Sequence, residues 1–563
     1  LNIENELKID NIYWERIQLF IEGHANKIKI TNKSILLKNK NNHKYIFPNE
    51  LIVSGNKFKA RFNIAISDEG NYIPKGSYSI VHKSKSESIA HISNNLINQK
   101  RHKLTGNEIQ YYKNLNNKQE KNNYLLGFYK HCFEKSPSKF ETFYVVEPKV
   151  TENTNELTID IKYKFPSKRK EKNRRKIGYL KKPFRRIMYE IRVIIFNVIF
   201  KISKYMNFKK GQTVLFTSDS RSSRSGNFEY IYNEMINQKL NHKYNIYEMY
   251  KSDISSRRNL IDKFKLPFLL AKADYIFVDD YHPLIYDLKF RNNQEIIQVW
   301  HAVGSFKTVG YSRTGMKDGP FFNSTNHRNY TKVFVSSEND IIFYAEAFGV
   351  KEQNIIPTGV PRTDILFDRN YKNKVIEEIK NEVPIQGKKV ILFAPTFRGS
   401  GHLTAYYPDN NINYKNLAEY CKNKNAIVLL KMHPFVKNNI KIPEEYKEYF
   451  IDISNYREVN KFLFVTDILI SDYSSLIYEY ALFEKPMIFY AFDLEKYSND
   501  RGFYEDYEKF VPGKIVYSFS ELMNSLWNKD FEIEKVPEFL DKTFKYQDGK
   551  SSERVVIETF GKD

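Results

Sequence analysis

Residues 466–490 read TDILISDYSSLIYEYALFEKPMIFY. Ile468–Ile470 is a short, wholly apolar run, Ser471-Asp472-Tyr473-Ser474 a hydroxyl-rich turn, Ser475–Phe483 a helical segment and Met487–Tyr490 a second apolar run. Apolar runs this short, without polar alternation, are strands buried on both faces. A helix between two of them makes the pair parallel. The same pattern recurs upstream. Thr213–Thr217, Tyr275–Asp279, Glu295–Trp300, Lys332–Ser336 and Asn354–Thr358 form one series of predicted strands. Lys389–Ala394, Ala426–Lys431, Asp467–Ser471 and Met487–Tyr490 form another, and Asn381–Lys388, with Pro384 and Gly387, breaks the chain between them. The expected core is therefore α/β, with two Rossmann-like domains at 211–384 and 385–563 facing each other across a cleft.

The chain before residue 211 has a different character. Ile12–Gly23 (IYWERIQLFIEG) and Lys57–Asp68 (KFKARFNIAISD) alternate at period two, and further strands are expected at Phe143–Val150 and Leu157–Tyr163. Residues 1–165 thus read as an all-β, sandwich-like N-terminal domain with a polar helical insert near 105–135 and no concentration of catalytic residue types. The window that follows is strongly basic. Lys168, Arg169, Lys170, Lys172, Arg174, Arg175, Lys176, Lys181, Lys182, Arg185 and Arg186 stand against one acid, Glu171. Apolar residues then dominate Ile187–Tyr205, interrupted by Glu190, Arg192, Lys201 and Lys204. Residues 166–210 are expected to be a linker lying on an anionic membrane surface, because polybasic attraction and an apolar helix face act together there.

Across 563 residues, 89 Lys and Arg stand against 67 Asp and Glu, a net charge of +22. Nucleic acid, anionic lipid or a phosphorylated substrate could each account for such an excess. A nucleic-acid binder would interleave its basic and aromatic residues on one surface. Here the basic cluster leads into an apolar segment instead, so no nucleic-acid partner is expected. Cys132 and Cys421 are too few and too far apart for a disulfide framework or a zinc site, and fit a reducing cytosol. No apolar run approaches the ~18 residues of a membrane span, and the first residues carry no signal-like run.

In open α/β sheets ligands bind beyond the carboxyl ends of the strands, so the candidate site residues are those that follow each predicted strand. Ser474 and Ser475 open a helix, where hydroxyls and free N–H groups suit phosphate oxygens. Asp472, in the same turn, and Glu479, one turn inside, are placed to reach ribose or polyol hydroxyls. FAPTFRG (393–399) presents Thr396 and the phosphate-matching fork of Arg398, and KMHP (431–434) presents His433. In the other half QVWHAVG (298–304) delivers His301, a proton acceptor near neutral pH, with Lys307 close behind. Lys307, together with Arg362 and Asp364 in GVPRTD (359–364), are acceptor-side or hinge residues; His282 and Asp279-Asp280 are weaker candidates. G-x-x-x-x-G-K-[ST], G-x-G-x-x-G and H-E-x-x-H patterns are absent from the sequence, which points to a metal-independent transfer without a bound cofactor.

VWHAVG, FAPTFRG, KMHP, SDYSSLIYEYALFEKP and FDLEKY with DRGFYEDY together resemble the CDP-glycerol/CDP-ribitol glycerophosphotransferase family of teichoic acid synthesis. IYWERIQLFIEGH (12–24) and FKYQDGKSSER (544–554) look closer still to staphylococcal-type poly(ribitol phosphate) polymerases. The resemblance implies a GT-B fold whose C-terminal half holds a CDP-activated donor. By position it makes His301 the acceptor-side base, His433 the donor-side histidine, and Thr396, Ser474, Ser475 and Arg501 donor-phosphate contacts. It further implies CDP-ribitol as donor and a polyprenyl-diphosphate-linked teichoic acid primer as acceptor. The enzyme would then be peripheral, on the cytoplasmic face of the membrane. WHAVG departs from the family's more common WHGTP-like run, which bears on the shape of the acceptor loop. A CDP-glycerol polymerase or primase would share these motifs; a sugar-nucleotide glycosyltransferase or epimerase would not combine SDYSS with WHAVG. Homo-oligomerisation is left open.

Overall fold

A computed structural model describes residues 6–84, 86–135, 141–166, 183–206, 211–253, 256–316, 319–399, 404–436, 440–456 and 459–561, with the backbone alone at 183–187, 189 and 409. Lys168, Arg169, Lys170, Arg174, Arg175, Lys176, Lys181 and Lys182 lie outside the described residues, as do the side chains of Arg185 and Arg186.

Two six-stranded parallel sheets carry the α/β part. In spatial order the first is Asn245–Tyr250, Thr213–Ser218, Tyr275–Val278, Glu295–Gln298, Lys332–Val335, Ile355–Pro357. The second is Phe450–Asp452, Ala426–Leu430, Lys389–Ala394, Ile468–Ser471, Met487–Tyr490, Lys514–Val516. Thr213–Ser218, Ala426–Leu430 and Ile468–Ser471 are buried along their whole length, as their continuous apolar runs require. Asn245–Tyr250, Phe450–Asp452 and Lys514–Val516 were not anticipated. All three are edge strands, where one side meets solvent and the sequence turns polar. Strand order reverses direction between Thr213–Ser218 and Tyr275–Val278 in the first sheet, and between Lys389–Ala394 and Ile468–Ser471 in the second. The chain leaves those neighbouring strands toward opposite faces, and the crevice that opens between them is where ligands settle.

The N-terminal domain is sheet-rich, but its eleven strands form one continuous ladder rather than two separate layers. The shared strand Glu87–Ile92 pairs antiparallel with Gly76–Lys83 at its start and parallel with Glu6–Glu15 at its end. The ladder folds around a single core to which Leu7, Leu19, Phe62, Tyr78, Tyr144 and Ile159 all contribute. The run Ile12–Gly23 is not one strand: Glu6–Glu15 and Gln18–Asn26 form a hairpin that turns at Arg16-Ile17. The helical insert is also earlier than expected. Asn94–Arg101, Gly106–Asn114 and Lys118–Gly127 are helices capped by Ser93, Thr105 and Asn117, and His131–Glu134 is an edge strand.

This domain rides on the first α/β unit. Tyr311, Phe321 and Phe322 complete its core, Arg61 pairs with Glu352 at 2.8 Å, and Arg328 donates to the carbonyls of Ala65 and Gly70 at 3.0 and 3.3 Å. The unit expected at 385–563 does not keep its last helix. Ser551–Phe560 packs on the first sheet, with Val555 and Val556 buried against Val214 and Phe216. Asp364 fixes that crossing by accepting from the N–H groups of Ser551 and Ser552 at 2.8 and 2.7 Å.

Helix Pro183–Tyr205 packs along helix Leu260–Lys272 and buries Phe200. Its outer side exposes Ile191, Ile194, Ile195, Val198 and Ile202, and the neighbouring helix exposes Leu260, Ile261 and Phe264. Among the described residues no helix is long and apolar enough to cross a membrane.

Candidate functional site

The residues expected on the donor side lie at the reversal point of the second sheet. Strand Lys389–Ala394 runs into Thr396 and Arg398, and Ile468–Ser471 into Asp472–Ser475. Asp472 is buried and accepts from the Thr396 N–H at 2.8 Å, the Thr396 hydroxyl at 2.9 Å and Arg398 Nη1 at 2.9 Å. Arg398 also grips Asp493, through Nε at 2.7 Å and Nη2 at 2.9 Å, and lies among Tyr407, Tyr473, Phe492 and Tyr497. Burial works against its charge, and the two carboxylates more than restore it, so the guanidinium ends above its ordinary value. The expectation that Arg398 binds phosphate and Asp472 a hydroxyl is corrected here. The pair is an internal brace holding the two loops together, because both partners are already committed to each other.

Glu479 is committed through Oε1 only, its Oε2 being buried without a partner among the described residues. It is fully buried, pairs with Arg362 and lies 3.5 Å from Asn460 Nδ2. Burial raises its carboxyl above the ordinary value while Arg362 pulls it down. Arg362, whose N–H donates to Asn227 Oδ1 at 3.0 Å, thereby ties the first unit to the second. Arg362 and Asp364 each hold two units together, Arg362 through Glu479 and Asp364 through Ser551 and Ser552.

Ser474 and Ser475 remain half-buried at the start of helix Leu476–Ala481, with the Ser474 hydroxyl accepting from the Leu476 N–H at 3.3 Å. Three more candidates converge around Phe397, whose neighbour Thr396 is tied to Asp472 at the strand end before this turn. His433 packs on Phe397, with ring centres 4.7 Å apart, and Arg501 lies over the same Phe397 ring at 5.6 Å. Lys307 comes from the other unit, yet it is close enough to act on His433. Burial first, then the charges of Lys307 and Lys431, push the His433 imidazole down to about 4. The Phe435 N–H donates to Nδ1 at 3.2 Å, so the neutral ring carries its proton on Nε2. His433 therefore presents a neutral N–H donor.

The residues expected on the acceptor side include a strained turn. Strand Glu295–Gln298 is followed by Trp300 at φ +40°, a left-handed conformation that a bulky residue adopts only when its surroundings hold it there. The Trp300 N–H donates to Gln298 Oε1 at 2.8 Å, and Asn227 Nδ2 donates to the Trp300 carbonyl at 2.7 Å. The turn delivers His301 to the surface with its side chain 48% exposed and Nδ1 3.6 Å from Asp280 Oδ1. Beyond it Gly304 lies against Tyr478, and Ser305 donates its N–H and hydroxyl to the buried Asp340 at 3.0 and 2.7 Å. Phe306–Thr308 then pairs with Gly502–Tyr504: the Thr308 N–H donates to the Gly502 carbonyl, and the Tyr504 N–H to the Phe306 carbonyl, each at 3.1 Å. That short ladder pairs Lys307 with Phe503, and the Thr308 hydroxyl donates to the Arg501 carbonyl at 2.7 Å, so both cations flank the same crossing between the two units.

One feature escaped the sequence reading. At the reversal point of the first sheet SDSRSSRSG (218–226) links strand Thr213–Ser218 to helix Asn227–Asn237. Asp219 pairs with Arg258 at 2.5 Å and Lys251 at 3.3 Å, Arg221 pairs with Asp279, and His282 is buried beside Asp219 with its imidazole pushed down by burial. A serine- and arginine-rich loop that ends a strand and opens a helix was the available signal.

Over residues 199–561 the sequence matches the family described as CDP-Glycerol:Poly(glycerophosphate) glycerophosphotransferase. It is 54% identical to the teichoic acid ribitol-phosphate polymerase TarL of Staphylococcus aureus, covering 99% of this chain and 100% of that one. It is also 54% identical to the ribitol-phosphate polymerase TarK of the same species, covering 90% and 99%. Among solved structures the wall teichoic acid polymerase TagF aligns with a TM-score of 0.53 at 23% identity, covering 67% of this chain and 97% of that one, a likeness of fold. The chain belongs to the CDP-glycerol:poly(glycerophosphate) glycerophosphotransferase family.

Proposed function

We propose that the chain is a wall teichoic acid polymerase. It transfers ribitol phosphate from CDP-ribitol to a polyprenyl-diphosphate-linked primer and releases CMP. The observation that carries this reading is the meeting of His433, Arg501 and Lys307 around Phe397, with His301 on the same loop as Lys307. Ribitol rather than glycerol is favoured by the 54% identity to ribitol-phosphate polymerases along nearly the whole chain. The two α/β units are read as a GT-B pair, with the donor on the second and the acceptor on the first.

In this mechanism the terminal hydroxyl of the primer loses its proton to His301, whose ring Asp280 orients. The oxygen attacks the β-phosphorus in line. The bond to the bridging oxygen breaks, and CMP leaves with its electron pair. Charge growing on the phosphoryl oxygens is met by the Nε2–H of His433, the guanidinium of Arg501 and the ammonium of Lys307. CDP-ribitol enters as a substrate, and no bound cofactor takes part in the step.

The basic window and the exposed apolar faces of Pro183–Tyr205 and Leu260–Lys272 are read as the membrane-resting surface on the cytoplasmic side. The test is to supply purified chain and lipid-linked primer with CDP-ribitol or CDP-glycerol, then size the product. Long ribitol phosphate chains with stoichiometric CMP are the predicted result. Turnover of CDP-glycerol alone, or addition of one or two units only, would replace this reading with a glycerol-phosphate transferase or a primase.

A further inference from the structure

Arg16 takes the first position of the two-residue turn between Glu6–Glu15 and Gln18–Asn26, at φ +54°. Turns of this kind favour glycine there, so an arginine with a long, ordered side chain is a departure that needs a reason. The side chain leaves its own domain. Nε and Nη2 donate to the two oxygens of Glu346 at 2.7 and 3.4 Å, and Nη1 donates to the Tyr504 carbonyl at 3.1 Å. The guanidinium lies between the rings of Phe343 and Tyr504, each at 5.3 Å. Glu346 is fully buried in helix Asn339–Phe348 of the first α/β unit and takes a further bond from Gln18 Nε2 at 2.7 Å. Tyr504 belongs to the second unit. One side chain of the N-terminal domain thus touches both halves of the cleft.

The contact on the second unit is not a neutral place to touch. Tyr504 is the last residue of the short ladder with Phe306–Thr308, and its hydroxyl lies 3.0 Å from that of Ser312. The ladder holds Lys307, and Arg501 is its neighbour, its carbonyl accepting from the Thr308 hydroxyl at 2.7 Å. A shift of Tyr504 therefore moves the two cations read above as donor-phosphate contacts.

We propose that Arg16 is a positioning residue for donor binding, by which the N-terminal domain locks the 501–504 loop against the 306–308 loop and so aims Arg501 and Lys307. The inference rests on the donor-site reading above. Its test uses the full-length chain with R16K. Lysine keeps the charge beside Glu346 but lacks the fork needed to hold Glu346 and the Tyr504 carbonyl together. R16K should melt as the wild type does, bind CDP-ribitol about 10- to 100-fold more weakly by calorimetry, and raise the donor KM without raising the primer KM. R16A removes the counter-charge of Glu346, so if it fails to fold the R16K result decides. Wild-type donor binding in R16K, or a loss that follows melting temperature with the donor KM unchanged, would overturn the proposal. A wild-type chain that binds neither CDP-ribitol nor CDP-glycerol would sink the donor-site reading and this inference together. Normal wild-type binding with unaltered R16K sinks only the inference.

Discussion

Arg398 is buried between Asp472 and Asp493, so removing its charge leaves two carboxylates without their counter-ion. Arg398→Gln should cost about 3–5 kcal/mol of folding stability in denaturant titrations. Arg501→Gln, half-buried over Phe397, should leave stability nearly unchanged and weaken donor binding. His433 carries a pH signature. Its imidazole is held down at about 4 by burial and by Lys307 and Lys431, against an ordinary 6.5, so the unfolded chain takes up the proton first as pH falls. Its contribution to stability is therefore complete above pH 6.5 and lost as pH falls toward 4. The stability gap between wild type and His433→Asn should narrow over that window in chemical denaturation. Any acid limb in turnover between pH 6 and 8 must belong to another group. Residue types were legible in the sequence at these positions, but their commitments were not. Arg398, Asp472 and Glu479 carry ligand-binding chemistry, and only the fold shows that each is paired with a residue far along the chain, Glu479 through Oε1 alone.

The elements that could be read directly were those buried on both faces, such as Ile468–Ser471 and Ala426–Leu430, because burial leaves a continuous apolar run. Edge strands escaped because solvent on one side dilutes that signal, as in Asn245–Tyr250. The hairpin at Arg16-Ile17 escaped because it contains no Gly, Asn or Pro and preserves the alternation on either side. The closing helix Ser551–Phe560 lies within the 385–563 segment yet packs on the first sheet, because an amphipathic pattern tells that a face is buried, not against what. Loop 300–308 is the element on which the acceptor side depends, and Gly304 is its tightest point. A Cβ there would sit 2.2 Å from Tyr478 Cε1. Gly304→Ala should displace the loop and lower turnover by about a hundredfold while donor affinity changes less, measured as kcat beside calorimetric binding.

Across the whole molecule, three units are tied by a few crossing contacts: Arg362 with Glu479, Asp364 with the start of the last helix, and Arg16 with Glu346 and Tyr504. The apolar residues of two packed helices, Pro183–Tyr205 and Leu260–Lys272, lie bare, and the first follows the basic window in sequence. Ile194→Glu, Ile202→Glu and Phe264→Glu together should weaken binding to anionic vesicles by at least about a hundredfold, since each buried apolar side chain contributes about 1.5–3 kcal/mol. Turnover on a water-soluble primer analogue should stay as in the wild type. The net charge of +22 thus has two uses in the account, a surface for anionic lipid and a cleft for phosphates.

The most direct test of the central claim, that the cleft between the two α/β units transfers ribitol phosphate with His301 as base, is single-turnover release of CMP. Wild type and His301→Ala would be compared on CDP-ribitol with a lipid-linked primer. The account predicts release by the wild type and a loss of about 10²–10⁴-fold in the variant, with CDP-ribitol still bound at wild-type affinity. Near-normal CMP release and chain growth by His301→Ala would contradict it.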